Sequence, residues 1–220
     1  MVLQVKLSSA PNKKEMLKTE VCIVGAGPAG ATLSHFLSKQ KIAHTLVDKA
    51  EFPRDKICGD GITVDVLNVL KRISPELLAE FAAQSEMMPS YGFCFHAANG
   101  KELRYDFKAD EFPYAPFYTS RRLDLDNFLV KRLDSDYCHF MPNTTVTNVV
   151  KTATEVRVMG RNGVGDVNIE AKIVVGAEGE KPIVTRYLGI EPFREKEHLI
   201  GGIRLYYKNV KGFNEGNHLE

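Results

Sequence analysis

The feature that most constrains this chain is a glycine-rich turn, Gly25-Ala26-Gly27-Pro28-Ala29-Gly30, set between a β-branched run and a helical one. Residues 19–24 read as a short buried strand. After the turn, Leu33, Phe36 and Leu37 fall at i, i+3 and i+4, the spacing of one helix face. Residues 41–48 then read as a loop and a second buried strand, Thr45-Leu46-Val47, closing on Asp48. Strand, helix and strand in this order make a β-α-β unit, so the expected fold is α/β with a parallel sheet.

The turn matches G-x-G-x-x-G, and each glycine has a physical task. Gly25 permits the tight turn, Gly27 lets the backbone approach a pyrophosphate, and Gly30 allows close packing of helix on strand. Pro28 and Ala29 open the helix, whose free N–H groups and positive dipole end favour an anion. At the end of the second strand, the Asp48 carboxylate can accept hydrogen bonds from both hydroxyls of an adenosine ribose. A 2′-phosphate there would be repelled. With strand, helix and acid in register, dinucleotide binding is the expectation, against a turn that merely permits packing. Ser34 stands at the fourth small position of this helix.

Composition removes several other functions. Lys and Arg number 29 against 28 Asp and Glu, a net charge of +1, so nucleic-acid binding has no electrostatic support. The chain is 44% hydrophobic, enough for a core, which excludes a disordered reading. Residues 21–33, the longest charge-free apolar stretch, are too short to span a bilayer. No apolar leader is seen, and a cytoplasmic location is expected. The four cysteines, Cys22, Cys58, Cys94 and Cys138, form no C-x-x-C pair, and no histidine falls at ligand spacing beside them. Reduced thiols and no metal site are therefore expected.

Further along, residues 1–15 read as a polar extension. Ile62, Val66, Val69, Leu70 and Ile73 predict an amphipathic helix, and Leu77, Leu78 and Phe81 a short one after Pro75. From Tyr91 the period changes to two, and residues 91–97 and 102–107 flank Asn99-Gly100, a hairpin signal. Leu125, Phe128, Leu129 and Leu133 return to helical spacing. Strands are expected over 146–150, 155–159, 166–175 and 199–207. The aromatic stretch from Phe112 to Tyr118 reads equally as core or as the lining of an apolar tunnel.

The glycine turn followed by Asp48-Lys49-Ala50-Glu51-Phe52-Pro53-Arg54-Asp55-Lys56-Ile57-Cys58-Gly59-Asp60-Gly61 resembles the geranylgeranyl reductase family, flavoproteins of the p-hydroxybenzoate hydroxylase fold. Two more motifs agree. Arg122-Leu123-Asp124-Leu125-Asp126-Asn127-Phe128-Leu129 is similar to the family's R-x-x-x-D-x-x-L helix, and Gly176-Ala177-Glu178-Gly179 to its G-A-D-G. The resemblance implies a Rossmann-like FAD-binding domain over residues 16–90 and 120–190, with parts of an inserted, strand-rich substrate domain over 91–119 and 191–220. It implies FAD as cofactor, held by the glycine turn, Asp48, Lys49, Arg54, Lys56, Cys58, Gly59, Arg122, Glu178 and Gly179. It further implies NAD(P)H or another donor as reductant, and hydride delivery from reduced flavin to a carbon–carbon double bond of a prenyl or lipid-like substrate. Peripheral membrane contact is left open.

The chain departs from that pattern in places. Glu178 replaces the family's Asp, Pro182 stands at a usual serine, and the expected arginine comes one place late at Arg186. A second glycine-Asp motif and a tryptophan-containing motif do not occur, and the chain has no Trp. A truncated chain that binds FAD weakly or not at all in isolation is therefore expected. No Ser/His/Asp or Cys/His arrangement is argued, and no catalytic residue is assigned. The same residues also suit a flavin monooxygenase or halogenase, or a non-catalytic nucleotide-binding fragment.

Overall fold

The computed structural model describes residues 16–189, 197, 200–211 and 218–219. The β-branched run forms β1 (Met16–Val24), whose last four residues are buried on both faces, as suits a central parallel strand. The elements then follow as α1 (Pro28–Lys39), β2 (His44–Val47), β3 (Gly61–Ile62), α2 (Val64–Ile73), α3 (Pro75–Ala82) and β4 (Met88–Ser90). Next come β5 (Gly92–His96), β6 (Glu102–Asp106), β7 (Phe117–Thr119), α4 (Arg122–Val130) and β8 (Cys138–Met141). The last are β9 (Thr145–Lys151), β10 (Val156–Asn162), β11 (Gly165–Gly176) and α5 (Ile183–Tyr187).

The main sheet has six strands in the order β8-β2-β1-β11-β10-β9. Strands β8, β2, β1 and β11 are parallel to one another. Strands β10 and β9 continue the sheet antiparallel. The period-two alternation of strands sends Ile23 and Leu46 into a core with the helices α2, α3 and α4. Cys22, Val24 and Val47 face the opposite layer with Val149, Val158 and Val184. Phe81, fully buried, closes the helical side with edge-on contacts to Tyr118 at 5.2 Å and Phe128 at 5.6 Å. Tyr118 thus belongs to the core.

Two small sheets lie between β2 and β8 in the chain: β3-β7-β4 and the hairpin β5-β6. Asn99-Gly100 makes the hairpin turn, with Gly100 at φ +77°. The ribbon is amphipathic. Phe93, Phe95, Leu103 and Tyr105 share one face, and Cys94, His96, Glu102 and Arg104 the other.

Three features differ from the sequence expectations. Ile62 pairs in β3, so the helix starts only at Val64, after the cap position Thr63. Strand β8 carries no β-branched residue, yet it pairs with β2 along its whole length. Residues 200–207 form no strand; Arg204 and Tyr206 fasten them by side-chain hydrogen bonds to Asp55 and Asp60 instead. The expectation for Leu199 falls outside the described residues, as does that for residues 1–15. No helix among the described residues is long and apolar enough to cross a membrane.

Ser34, buried on α1, bonds the His44 ring at 2.6 Å, while the other ring nitrogen lies 2.8 Å from the Ile42 carbonyl. The small hydroxyl therefore replaces Gly or Ala to satisfy a buried imidazole. Its neighbour His35 donates from Nε2 to the Leu129 carbonyl at 3.0 Å. Burial pushes its pKa below the ordinary 6.5, with the carbonyl opposing that shift. The folded state thus disfavours the imidazolium, so the unfolded chain binds more protons below pH 6.5. Stability should fall as pH drops from 6.5 towards the lowered value, by up to about 1.4 kcal/mol per pH unit. Urea midpoints against pH for the wild type and His35→Gln check this; the slope over that window should flatten in the variant.

Candidate functional site

The C-terminal ends of β1, β2 and β11 meet at one edge of the main sheet. From β1 the chain crosses through α1 to β2 on one side, while β11 flanks β1 on the other. A crevice opens where the connections part, the place where open α/β sheets bind ligands. Backbone bonds close its floor: Gly25 N–H donates to Val47 O at 2.7 Å, and Ala177 N–H to Val24 O at 2.8 Å.

The three glycines of the turn are required for different reasons. Gly25 has φ +103°, and a Cβ there would lie 2.5 Å from the Ala177 carbonyl oxygen. A Cβ on Gly30 would collide with the carbonyl of Gly25. Gly27 has an ordinary φ of −69°, and a Cβ there would meet only the Arg54 guanidinium, at 3.7 Å. Gly25 and Gly30 are thus demanded by the protein's own packing, whereas Gly27 faces the cleft.

That cleft has a volume of about 1,400 Å³. It is lined by Gly25, Gly27, Pro28, Ala29, Asp48, Lys49, Arg54, Lys56, Arg122, Glu178 and Gly179 among the residues expected from the sequence. Of the other expected residues, Gly30 lies behind it in the helix–strand contact, and Cys58 and Gly59 sit exposed on the adjoining loop. α1 points its N-terminus into the cleft with Pro28 at the first position, no side-chain cap and no acidic residue in its first turn. The N–H groups there are left for a ligand.

Asp48 is nearly buried and already holds two backbone donors, Ala26 N–H at 2.7 Å and Ala50 N–H at 2.8 Å. Its carboxylate thereby fixes the glycine turn against the end of β2, where Asp48 borders the cleft. Glu178 Oε1 accepts from Ile183 N–H at 3.0 Å and Val184 N–H at 2.7 Å, capping α5. The extra methylene of Glu over Asp supplies the reach.

Cations gather opposite the helix terminus. Arg122 is buried and pairs bidentately with Asp126, both bonds at 2.8 Å. Arg54 reaches the same carboxylate at 3.1 Å. Asp126, fully buried, thus sits between two guanidinium groups. Its hydrogen bond holds Arg122 above its ordinary pKa against the opposing effect of burial, with a smaller contribution from the Cys58 sulfur. Two positive groups facing one acid leave a net positive wall that suits an anionic ligand.

Sequence reasoning missed the partner of the loop after β2. Arg204 donates to Asp55 at 2.6 Å and to the Lys56 carbonyl at 2.9 Å, and Tyr206 donates to Asp60 at 2.7 Å. This clasp fixes the loop that carries Lys56, Cys58 and Gly59. Nothing in the local sequence pairs these residues. Asp126 was visible as the acid of R-x-x-x-D, at the i+4 spacing that lets a helix pair its own arginine.

The residues fit FAD: an extended cleft, an uncapped helix terminus beside a glycine whose missing Cβ leaves room, cations for a pyrophosphate and an acid for a ribose. Comparisons with known proteins agree. The chain is 30% identical over 185 residues to conditioned medium factor receptor 1 of Dictyostelium discoideum, covering 77% of this chain and 35% of that protein. It is 26% identical over 176 residues to digeranylgeranylglycerophospholipid reductase 1 of Methanosphaera stadtmanae, covering 80% of this chain and 41% of that one. Among solved structures, a geranylgeranyl bacteriochlorophyll reductase-like protein of Thermoplasma acidophilum superposes with a TM-score of 0.66 at 20% identity, over 80% of this chain and 43% of that one. Other structures of the same fold include a flavin-dependent monooxygenase and an FAD-dependent halogenase. The chain therefore spans well under half the length of these relatives. The FAD binding domain family matches residues 18–212, most of the chain. The chain belongs to the FAD binding domain family, and its cofactor is FAD.

Proposed function

We propose that this chain is the cofactor-holding part of an FAD-dependent oxidoreductase that reduces carbon–carbon double bonds of a prenyl or lipid-like substrate. The observation that carries the reading is the convergence on one cleft of the glycine turn, Asp48, the Arg54–Asp126–Arg122 group and Gly176-Ala177-Glu178-Gly179. In it, the N–H groups at the start of α1 and the cations Arg54, Lys56 and Arg122 hold the pyrophosphate. Asp48 receives the ribose, and Lys49 borders it. Glu178 and Gly179 shape the opposite wall, and Cys58 and Gly59 lie towards the ring end. The bound flavin supplies the redox chemistry, and the protein supplies position, electrostatics and water exclusion. A lipid-like substrate is supported by the named activity of the archaeal relative and by the apolar face of the hairpin, where Phe95, Leu103 and Tyr105 are exposed.

Gly27 tests the cofactor assignment. Gly27→Ala should change the thermal midpoint little, because its Cβ meets only the tip of Arg54. It should weaken FAD binding at least tenfold, read by quenching of flavin fluorescence on titration. Equal affinity in variant and wild type would place the cofactor elsewhere. For the reaction, the chain with chemically reduced FAD is mixed with a geranylgeranyl lipid without oxygen. A product heavier by two hydrogens supports the reductase; a product that forms only with oxygen and carries an oxygen atom or a halogen points to the monooxygenase or halogenase class.

A further inference from the structure

We propose that the polar face of the β5–β6 hairpin holds a divalent zinc-like metal ion through Cys94, His96 and Glu102. Cys94 and His96 are two residues apart in β5, so both side chains leave the same face. His96 stands directly opposite Glu102 in the antiparallel register. One donor atom from each of the three lies within 4.8 Å of the others.

The distances suit a common ion. Cys94 Sγ is 3.4 Å from His96 Nε2. Two such ligands on one tetrahedral zinc, with Zn–S about 2.3 Å and Zn–N about 2.1 Å, sit roughly 3.6 Å apart. The Glu102 carboxylate is 3.9 Å from the other ring nitrogen, and its side chain is half exposed, so it swings into place without disturbing packing. The facing cation on the same side, Arg104, is drawn away by Asp106 at 3.2 Å. A thiolate, an imidazole and a carboxylate on paired strands form the N/S/O donor set that zinc takes, with a fourth position for water. Binding releases the thiol proton to solvent and changes no oxidation state. The expectation of no metal site rested on turn-type spacings such as C-x-x-C. Cys-x-His is a strand spacing, and it needs the third ligand from the neighbouring strand.

The site is independent of the flavin cleft, and its test is also independent. Cobalt(II) is titrated into the Cys58→Ser chain, which removes the exposed thiol among the described cysteines. A near-ultraviolet sulfur-to-cobalt charge-transfer band should grow to one equivalent and be abolished by zinc. Cys94→Ser should remove the band, and His96→Gln or Glu102→Gln should weaken binding at least tenfold with unchanged circular dichroism. If Cys94→Ser fails to fold, alkylation of Cys94 in the otherwise unmodified chain supplies the readout, and zinc should slow it at least tenfold. Absence of the band, its survival in a folded Cys94→Ser, or alkylation indifferent to zinc overturns the proposal.

Discussion

Asp126→Ala is expected to lower the stability of the chain by about 3–5 kcal/mol, the usual consequence of removing one partner from a buried ion pair. The acid is fully buried, and two guanidinium groups depend on it. Without it, Arg122 stays buried with its bidentate partner gone, and Arg54 loses its anchor. For a domain with a total stability of about 5–15 kcal/mol this is a large fraction. Asp126→Asn should lose less than the alanine variant, since it retains an acceptor and its shape. The double variant Asp126→Leu with Arg122→Met should recover part of the loss, because the buried Arg122 charge is gone while Arg54 still lacks its partner. Urea unfolding of the variants reads this; a single-variant loss under about 1 kcal/mol would mean that water reaches the pair.

The second large effect belongs to Gly30. Gly30→Ala introduces a methyl where the Gly25 carbonyl already stands, and backbone cannot yield as a flexible side chain does. Overpacking of this kind costs about 1–3 kcal/mol or somewhat more. For a chain of this size that shifts the thermal midpoint by roughly 2–12 °C. FAD affinity should fall with it, because the turn must move. The contrast with Gly27 is the useful part: two glycines of one motif, three residues apart, should separate into one that governs folding and one that governs binding. A Gly30→Ala chain as stable as the wild type would show that α1 slides on β1 more freely than this contact allows.

Much of this arrangement was legible in the sequence because its determinants are local. Gly25, Gly30 and the apolar periodicity of residues 19–37 specify strand, turn and helix within a single short segment, and Asn99-Gly100 specifies the hairpin. What escaped was non-local. Strand β8 exists because β2 offers it an edge, so Cys138-His139-Phe140-Met141 needed no strong propensity. Residues 199–207 read as a strand, yet residues 200–207 pair with no strand. The side chains of Arg204 and Tyr206 bind the loop after β2 across almost 150 residues. Likewise, Glu178 is recognisable as a motif position, but its capping of α5 depends on a turn that brings Ile183 and Val184 back to it.

The position of β1 has a consequence for how the chain is made. Met16 pairs with Asn168 and Val24 with Gly176. At roughly 5–20 residues per second, synthesis delivers that partner about 8–30 s after β1 itself. Until then β2 covers one side of β1, and the other side presents a row of unpaired N–H and C=O groups able to recruit another chain. Strand β1 is therefore completed only when β11 arrives, and the nascent chain is most exposed to mispairing between the synthesis of the two.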